Sequence, residues 1–435
     1  MDGITLGLIA LAVVVFLLAM RVPVGVSLGG VAFGGIWIYA GPRAAWGTLS
    51  QVPYEFTAHW TLSSIPMFLL MGYVAYYSRI TEALFRTAQL WLGRLPGGLG
   101  IASVSGAAGF AAVTGSSMAA SAAMGRIAVP EMMRLGYNPG FSAGIVAAAG
   151  TIGSMIPPSI LMIVYGVFAE VSIGQLFIAG VIPGILTAVF YSIVIVTRVS
   201  LQPSLAPRLD HVPPWRQRLR SLLEIWPFVL LVLGVFGGLF TGVFTPTEAG
   251  AVGAFLACLI AVLKGALNWT VIRKATVETV RGTASIFFIA MGAALLTRFL
   301  ALTGLPDFLS DQISSLHVSP LMLIVAIAVL YLILGMFLDS LGCMLLTLPI
   351  VLPILEHQGA DLLWFGILLV KFLEVGLITP PVGLNVFVIK EILGDKVPLA
   401  RIFAGVTWFI VADLILVGFM IAWPQIALFL PQYVK

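Results

Sequence analysis

Apolar stretches long enough to cross a lipid bilayer follow one another along almost the whole sequence, and they constrain the fold more than any other feature. A helix needs about 20 apolar residues to span the hydrocarbon core, so the 435 residues can supply about ten to twelve spans. Only 9% of the residues are charged, against roughly 25% in soluble domains. The sequence therefore predicts an all-α polytopic membrane protein and excludes a water-soluble enzyme.

Cysteine, histidine and net charge exclude several other classes. The two cysteines, Cys258 and Cys343, lie in apolar runs and offer no disulfide framework. The four histidines are too scattered for a zinc site, so we expect no transition-metal site and no organic cofactor. The net charge of +4 is small, and its placement indicates membrane topology. We therefore expect the lipid bilayer to be the surroundings of the chain and expect no nucleic-acid partner.

The chain contains an internal repeat. The string GSMIPP at 153–158 recurs as GLITPP at 376–381, an offset of 223 residues from Pro157 to Pro380. The same offset relates Pro130 to Pro353. Several glycine and proline matches in the same order on one offset indicate a duplication.

Charge counts indicate that the two copies are inverted. Segment 77–95 holds three arginines and one glutamate, whereas its counterpart 297–315 holds one arginine and two aspartates. The second pair behaves oppositely, because 41–61 is neutral and 264–281 is rich in lysine and arginine. Since positive loops stay in the cytoplasm, matching segments are predicted on opposite sides of the membrane. Inverted-topology repeats are a common construction of secondary transporters.

The repeat predicts the domain organisation. Both termini are predicted periplasmic, and the Arg- and Pro-rich linker is predicted cytoplasmic. The first run of apolar residues is interpreted as a retained span and not as a cleaved signal peptide. The first repeat is predicted at 1–196, with an arm helix at 77–95, a re-entrant hairpin at about 98–130 and a broken helix at about 141–168. A linker follows at 197–222. The second repeat is predicted at 223–435, with an arm helix at 297–315, a re-entrant hairpin at about 321–353 and a broken helix at about 362–390.

Two apolar segments are predicted to enter the membrane and turn back. The first, 98–130, consists largely of small residues with a polar cluster at Ser116 and Ser117 in its middle. Its counterpart, 321–353, carries Asp339 at the equivalent position. A helix-packing surface of small residues is the alternative for the first segment. It does not explain Asp339, since an acidic residue at bilayer depth costs roughly 2.5–3.5 kcal/mol.

The two Pro-Pro pairs predict helices that open inside the membrane. Two successive prolines remove two amide donors, and the residue before a proline avoids helical geometry. Carbonyls freed in this way must line a cavity or bind an ion, because lipid cannot satisfy them. A proline kink without a ligand is the alternative. Inward-facing carbonyls and hydroxyls suit a hard cation such as Na⁺, whereas a transition metal would favour His or Cys.

These patterns predict three groups of site residues, with no catalytic residue among them. Each sodium site combines a hairpin tip with the opened helix of the same repeat, and an anion rests between the half-helix ends. The first sodium site is predicted at Ser116 and Ser117 and at the backbone of the opened helix, at Gly150, Gly153 and Ile156. The second is predicted at Asp339, Ser340 and Gly342 and at the backbone of the other opened helix, at Gly376, Thr379 and Val382. The substrate cavity is predicted at Ser154, Pro157, Pro158, Pro380, Pro381 and Asn385.

Four further charged residues lie within apolar segments. Lys371 and Glu374 are three residues apart and would share a helix face. Two roles stay open for them: an ion pair with each other, or a coupling or substrate-binding charge. Glu248 follows Pro246 at a helix start, which favours a capping role. Asp413 has no counterpart in the repeat, and the sequence assigns it no role.

Several strings resemble the large membrane (permease) subunit of TRAP (tripartite ATP-independent periplasmic) transporters, in the ion transporter superfamily. The resemblance extends from Arg21 to Phe387. It is carried by RVPVG from Arg21, TGSSMAASAA from Thr114, VPEMMRLGY from Val129, GTIGSMIPPSI from Gly150, GVFTPTEAG from Gly242 and GLITPPVGLNVF from Gly376.

The resemblance implies a sodium-driven importer of a small organic anion, such as a carboxylate, in the bacterial inner membrane. It implies two partners, a periplasmic substrate-binding protein and a small four-span membrane subunit. It also implies an elevator motion, in which the hairpin-containing bundle slides against a fixed scaffold. Residues at the hairpin tips and opened helices would bind Na⁺, the coupling ion, and the substrate.

Two other functions share parts of this pattern. A sodium/carboxylate symporter that needs no binding protein would show the same repeat and hairpins. An intramembrane hydrolase is a remote alternative, because no histidine lies within a helical turn of a plausible nucleophile. We therefore expect a transporter that is not an enzyme.

Overall fold

The computed structural model describes residues 2–207, 214–316 and 318–433, and within them the regular structure is entirely helical. The first half contains α1 (Gly3–Ala19), α2 (Val24–Ala40), α3 (Pro42–Thr57), α4 (Ser64–Tyr77), α5 (Glu82–Leu92), α6 (Gly98–Thr114), α7 (Ser117–Arg134), α8 (Pro139–Gly150), α9 (Ile160–Phe168) and α10 (Ile173–Leu201). The second half contains α11 (Trp215–Glu224), α12 (Trp226–Phe240), α13 (Pro246–Leu263), α14 (Trp269–Thr303), α15 (Leu305–Ser315), α16 (Pro320–Gly335), α17 (Ser340–His357), α18 (Leu362–Gly376), α19 (Leu384–Leu393), α20 (Leu399–Ala422) and α21 (Gln425–Leu428).

Five of the described helices are long and apolar enough to cross a membrane unaided: α10, α13, α14, α17 and α20. The pair α11 and α12, which is bent by 45°, adds a sixth if it forms one span. The number is lower than the composition allows, because many apolar helices are short. Among them, α1, α2, α6 and α16 have 16 or 17 residues each.

The sequence offset of 223 recurs in the helix boundaries. Helix α5 begins at Glu82 and α15 at Leu305, while α7 begins at Ser117 and α17 at Ser340. One difference breaks the correspondence: α3, a short 3₁₀ turn and α4 in the first half match the single 35-residue helix α14 in the second. The two copies therefore share their order of elements, and they differ in whether this part of the chain forms two helices or one.

Helices α6 and α7 form an antiparallel hairpin. Between them, Gly115 adopts a left-handed φ of 61°, which a residue without a Cβ adopts readily. At the base of the hairpin, the backbone N–H of Leu99 donates to the hydroxyl of Tyr137 at 3.2 Å. Small residues let the two helices pack closely, since a Cβ added to Gly106 would lie 3.0 Å from the methyl carbon of Met124.

Helices α16 and α17 follow the same plan around a turn at residues 336–339. Asp339 is the N-cap of α17, and its carboxylate accepts a hydrogen bond of 3.0 Å from the backbone N–H of Gly342. An N-cap of this kind satisfies a donor that the helix itself leaves unpaired. Deeper in the hairpin, Thr347 donates to the hydroxyl of the buried Tyr331 at 2.6 Å.

Both Pro-Pro pairs lie in helix breaks. Helix α8 ends at Gly150, a 3₁₀ turn follows at Thr151–Ser154, and α9 begins only at Ile160. In the second half α18 ends at Gly376 and α19 begins at Leu384. Pro157-Pro158 and Pro380-Pro381 are cis peptide bonds. The interruptions lie where the missing amide donors predict them.

The ends of the predicted linker are helical where they are described. Residues 197–201 complete α10, and residues 215–222 belong to α11. The middle of the linker, 208–213, lies outside the described residues. Helix α11 packs on α5, because Thr87 donates to the carbonyl oxygen of Ser221 at 3.0 Å. Glu248 forms a capping box with Thr245 at the start of α13, which confirms its predicted capping role.

Candidate functional site

The tip of the first hairpin lies directly against the break between α8 and α9. A Cβ added to Gly153 would lie 2.8 Å from the carbonyl oxygen of Ser116, and one added to Gly150 would lie 1.8 Å from the hydroxyl of Ser121. A Cβ at Gly115 would lie 2.3 Å from the carbonyl oxygen of Pro158. Only glycine fits these contacts. The structure therefore brings together four of the five residues predicted for the first sodium site: Ser116, Ser117, Gly150 and Gly153.

The fifth residue, Ile156, was predicted to contribute its backbone, and its side chain points away from the hairpin tip. Its side chain packs toward α10, where a Cβ at Gly184 would lie 2.7 Å from a side-chain carbon of Ile156. Only its backbone lies in the opened segment.

A buried carboxylate from the second half reaches the first hairpin tip. Glu374, near the end of α18, is fully buried and accepts a hydrogen bond from the hydroxyl of Ser117. The Ser117 hydroxyl also lies 2.8 Å from that of Ser154. The other carboxylate oxygen of Glu374 has no hydrogen-bond partner. An unpaired buried carboxylate oxygen is costly, so this site favours a proton or a cation beside it.

Both hairpin tips and Glu374 line one small cavity of about 70 Å³. Ser116 and Ser117 come from the first tip, and Asp339 and Ser340 from the second. The sequence predicted two separate sites, and the structure combines members of both around this space. The cavity can hold a small ion or about two water molecules, since each water occupies roughly 30 Å³. It is too small for an organic acid, whose pockets have volumes of roughly 300 Å³ or more.

Among the described residues, the side chains that line this cavity include two carboxylates and no lysine, arginine or histidine. The unpartnered hydroxyl of Ser340 adds another oxygen beside it. Hard oxygen ligands suit alkali and alkaline-earth cations. No group of three or more His, Cys, Asp or Glu side chains that could hold a metal ion occurs in the described part of the chain.

The remaining residues of the second predicted site lie apart from the cavity. Gly376 packs against α16, since its added Cβ would lie 2.7 Å from Cα of Gly335. Thr379 donates to the carbonyl oxygen of Val375, one turn earlier, at 2.7 Å. Gly342 donates its backbone N–H to Asp339, and Val382 is half-buried in the opened segment. Gly376 and Val382 can therefore contribute only backbone groups to ion binding at the break, whereas Thr379 also keeps the lone pairs of its hydroxyl oxygen.

The residues predicted for the substrate cavity divide into three groups. Ser154 lines the small cavity. Pro157 and Pro158 are buried beside the first hairpin tip, whereas Pro380 and Pro381 are exposed. Asn385 is fully buried, and neither its side-chain oxygen nor its nitrogen has a partner. The structure does not bring these six residues into one cavity.

Lys371 does not pair with Glu374, which corrects one of the two predicted roles. Its ammonium lies 2.5 Å from the carboxylate of Asp413 and 3.2 Å from the hydroxyl of Thr187. Tyr191 donates to the other oxygen of Asp413 at 2.6 Å, and its hydroxyl lies 2.9 Å from that of Thr151. All five residues are buried. The network links α10, α18 and α20 to the 3₁₀ turn in the first helix break.

The sequence did not predict the partners in this network. Lys371 and Asp413 are 42 residues apart, and Tyr191 is 222 residues from Asp413. One signal in the sequence could have indicated this pair: Lys371 and Asp413 carry opposite charges within apolar segments, and buried charges are usually paired.

The chain matches a known family along nearly its whole length. The family, described as "Tripartite ATP-independent periplasmic transporter, DctM component", matches residues 11–426. The chain belongs to this family. The predicted resemblance to TRAP large permeases is therefore confirmed.

Two relatives of this TRAP large permease support the assignment, and one solved structure has a similar fold. The C4-dicarboxylate TRAP transporter large permease protein DctM of Pseudomonas aeruginosa is 37% identical over 87% of this chain and 88% of that protein. The sialic acid TRAP transporter large permease protein SiaM of Vibrio cholerae is 31% identical over 86% and 87%, respectively. The structure of the Alcanivorax borkumensis YdaH transporter aligns with a TM-score of 0.64 over 90% of each chain at 14% identity.

These comparisons determine the class of protein and the fold. The relatives are permeases, so this TRAP large permease is a transporter component and not an enzyme. The solved structure shows that its fold is that of a membrane transporter. With its several long apolar helices, the chain is a multi-pass membrane protein.

Proposed function

We propose that this TRAP large permease imports a small organic anion across the bacterial inner membrane by sodium-coupled secondary transport. The observation that carries the proposal is the small cavity where both hairpin tips meet Glu374. The hydroxyl and carboxylate oxygens among its lining residues suit Na⁺, and the described lining includes no cationic side chain. In this proposal both segments, 98–130 and 321–353, are re-entrant hairpins.

A carboxylate is the proposed chemical class of the substrate. The two relatives are named for C4-dicarboxylates and for sialic acid, all of which carry carboxylate groups. Each net positive charge that moves inward gains about 2.3 kcal/mol per 100 mV of membrane potential. Two sodium ions entering with a monoanion would use that potential directly, whereas two ions with a dianion would be electroneutral.

We propose the elevator motion and both partners on the same basis. The first hairpin tip and the α8–α9 break are in such close contact at Gly115 and Gly153 that they would move as one body. Helices α2 and α14 are also packed tightly, since a Cβ at Gly292 would lie 2.7 Å from the carbonyl oxygen of Gly25, and they suit a fixed scaffold. The small four-span subunit and the periplasmic binding protein are the proposed partners.

Uptake into proteoliposomes tests this function. The large permease would be reconstituted with its small subunit, and radiolabelled succinate or sialic acid would be added with the cognate binding protein. We expect uptake that requires an inward sodium gradient and is absent with potassium alone. Uptake that is independent of sodium would overturn the coupling. Full uptake by the large permease alone would instead favour a sodium/carboxylate symporter that needs no binding protein.

A further inference from the structure

A second, larger cavity adjoins the hairpin tips. It has a volume of about 430 Å³ and lies between α7, α4 and α14. Ser116 of the first hairpin tip and Leu341, next to the second, both line it. Unlike the cavity around Glu374, it is large enough for a small organic acid.

Arg126 is the only acidic or basic side chain among the described residues that line this cavity. It is exposed and forms neither an ion pair nor a hydrogen bond within the described chain. Arg134, on the same helix, differs in this respect. Its guanidinium hydrogen-bonds to Glu131 at 2.6 Å and lowers the pKa of that carboxyl group. Arg126 is therefore free to bind an anion, and Arg134 is already neutralised.

Arg126 lies on the cavity wall between the tip and the base of the first hairpin. Met118, Ala122 and Arg126 follow one another at four-residue spacing and share one face of α7, and all three line the cavity. Arg126 is nine residues beyond Ser117, or about 13 Å along the helix. An anion that leaves the tips along this face would meet the guanidinium before it reaches the base of the hairpin.

The surroundings indicate the side to which the cavity opens. Tyr73 and Tyr76 line it near the C-terminal end of α4. The adjacent Tyr77 ring lies 5.9 Å from the ammonium of Lys274. The positive segments 77–95 and 264–281 are the ones whose charge predicts a cytoplasmic location. The cavity thus lies between the hairpin tips and the predicted cytoplasmic side.

We propose that Arg126 binds the carboxylate group of the substrate in this cavity, on its way from the hairpin tips to the cytoplasm. Arginine binds carboxylates through two parallel N–H···O hydrogen bonds, which fixes the orientation of the anion. The two tyrosines and Ser285 supply further hydroxyl groups in the cavity. This inference rests on the proposed function, because it assumes that the transported molecule is a carboxylate.

Cysteine labelling tests the electrostatic part of the proposal without a known substrate. Cys258 and Cys343 would be replaced by serine in the full-length chain, reconstituted with its small subunit, and Ala122→Cys would provide one thiol on the cavity wall. The measured quantity is the ratio of its modification rates by an anionic and a cationic methanethiosulfonate. We expect Arg126→Gln to lower this ratio about threefold or more, as loss of one charge roughly 6 Å away predicts. Arg126→Lys and the matched control Arg134→Gln should leave it nearly unchanged.

Protection by anions tests carboxylate binding itself. Succinate and sialic acid should each be tested for slowing the labelling of Ala122→Cys by the neutral reagent N-ethylmaleimide. Slower labelling that disappears with Arg126→Gln but persists with Arg134→Gln is the expected result. An unchanged rate ratio in Arg126→Gln, or no protection by either acid, would overturn the proposal. If labelling behaves as expected while sodium-driven uptake is absent, the anion site stands and the proposed coupling fails.

Discussion

Removing the Lys371 charge is expected to destabilise the protein strongly, because the change would leave Asp413 without a cation in the interior. The two side chains are 0% and 1% exposed, and their charged atoms lie 2.5 Å apart. Breaking a buried ion pair by removing one partner costs about 3–5 kcal/mol. Tyr191 would still donate to the other oxygen of Asp413, so we expect Lys371→Met to cost about 3 kcal/mol, at the lower end of that range.

The matched comparison uses both single variants and the double variant. Asp413→Asn alone leaves the buried Lys371 ammonium with neutral partners only, the amide oxygen of the new side chain and the Thr187 hydroxyl, and it should cost at least as much as Lys371→Met. The double variant removes both charges and should recover most of the loss, because replacing a whole buried pair with neutral groups is often close to neutral.

Thermal denaturation of the purified protein measures these differences. The ten tryptophans give an intrinsic fluorescence signal, and the single variants should lower the midpoint by about 5 °C or more. Midpoints that fall additively, with the double variant the least stable, would refute the assignment of Lys371 and Asp413 as one neutralised pair. An unchanged midpoint in Lys371→Met would refute it as well.

Three further changes have defined outcomes. Glu374→Gln keeps the size of the side chain but removes its charge. The sodium concentration for half-maximal uptake should therefore rise about tenfold, which corresponds to a loss of about 1.4 kcal/mol of binding free energy. An unchanged sodium titration would exclude Glu374 as a ligand. Gly115→Ala should abolish uptake or unfold the protein, because a Cβ there would lie 2.3 Å from a carbonyl oxygen. The control Gly418→Ala should be tolerated, because nothing lies within 4 Å of its added Cβ. Equal effects of the two variants in melting and uptake assays would contradict this contrast. Thr245→Ala removes the cap of α13 and should cost about 1 kcal/mol in thermal denaturation, with no change in the sodium requirement.

Local sequence signals predicted the interruptions of the helices well. Successive prolines at 157–158 and 380–381 lie in the observed breaks, because the loss of amide donors is a local effect. The turn at Gly115 and Ser116 lies at the predicted middle of the first hairpin. Small polar residues and glycine define such a turn without help from the rest of the chain.

Contacts between distant segments could not be predicted in the same way. Glu374 accepts a hydrogen bond from Ser117, which is 257 residues away, and the repeat relates equivalent positions without specifying how the two copies pack. For the same reason the sequence did not predict that both hairpin tips line one shared cavity. The i, i+3 spacing of Lys371 and Glu374 favoured a local pair, yet Asp413 from α20 binds the ammonium.

Equilibrium binding of radioactive sodium to the purified protein measures directly whether the two hairpin tips bind Na⁺. We expect saturable binding that is weakened by Ser117→Ala and by Asp339→Ala, one from each hairpin tip, in variants that remain folded and assembled with the small subunit. Sodium binding of unchanged affinity in both variants, or no saturable binding to the unaltered protein, would contradict it.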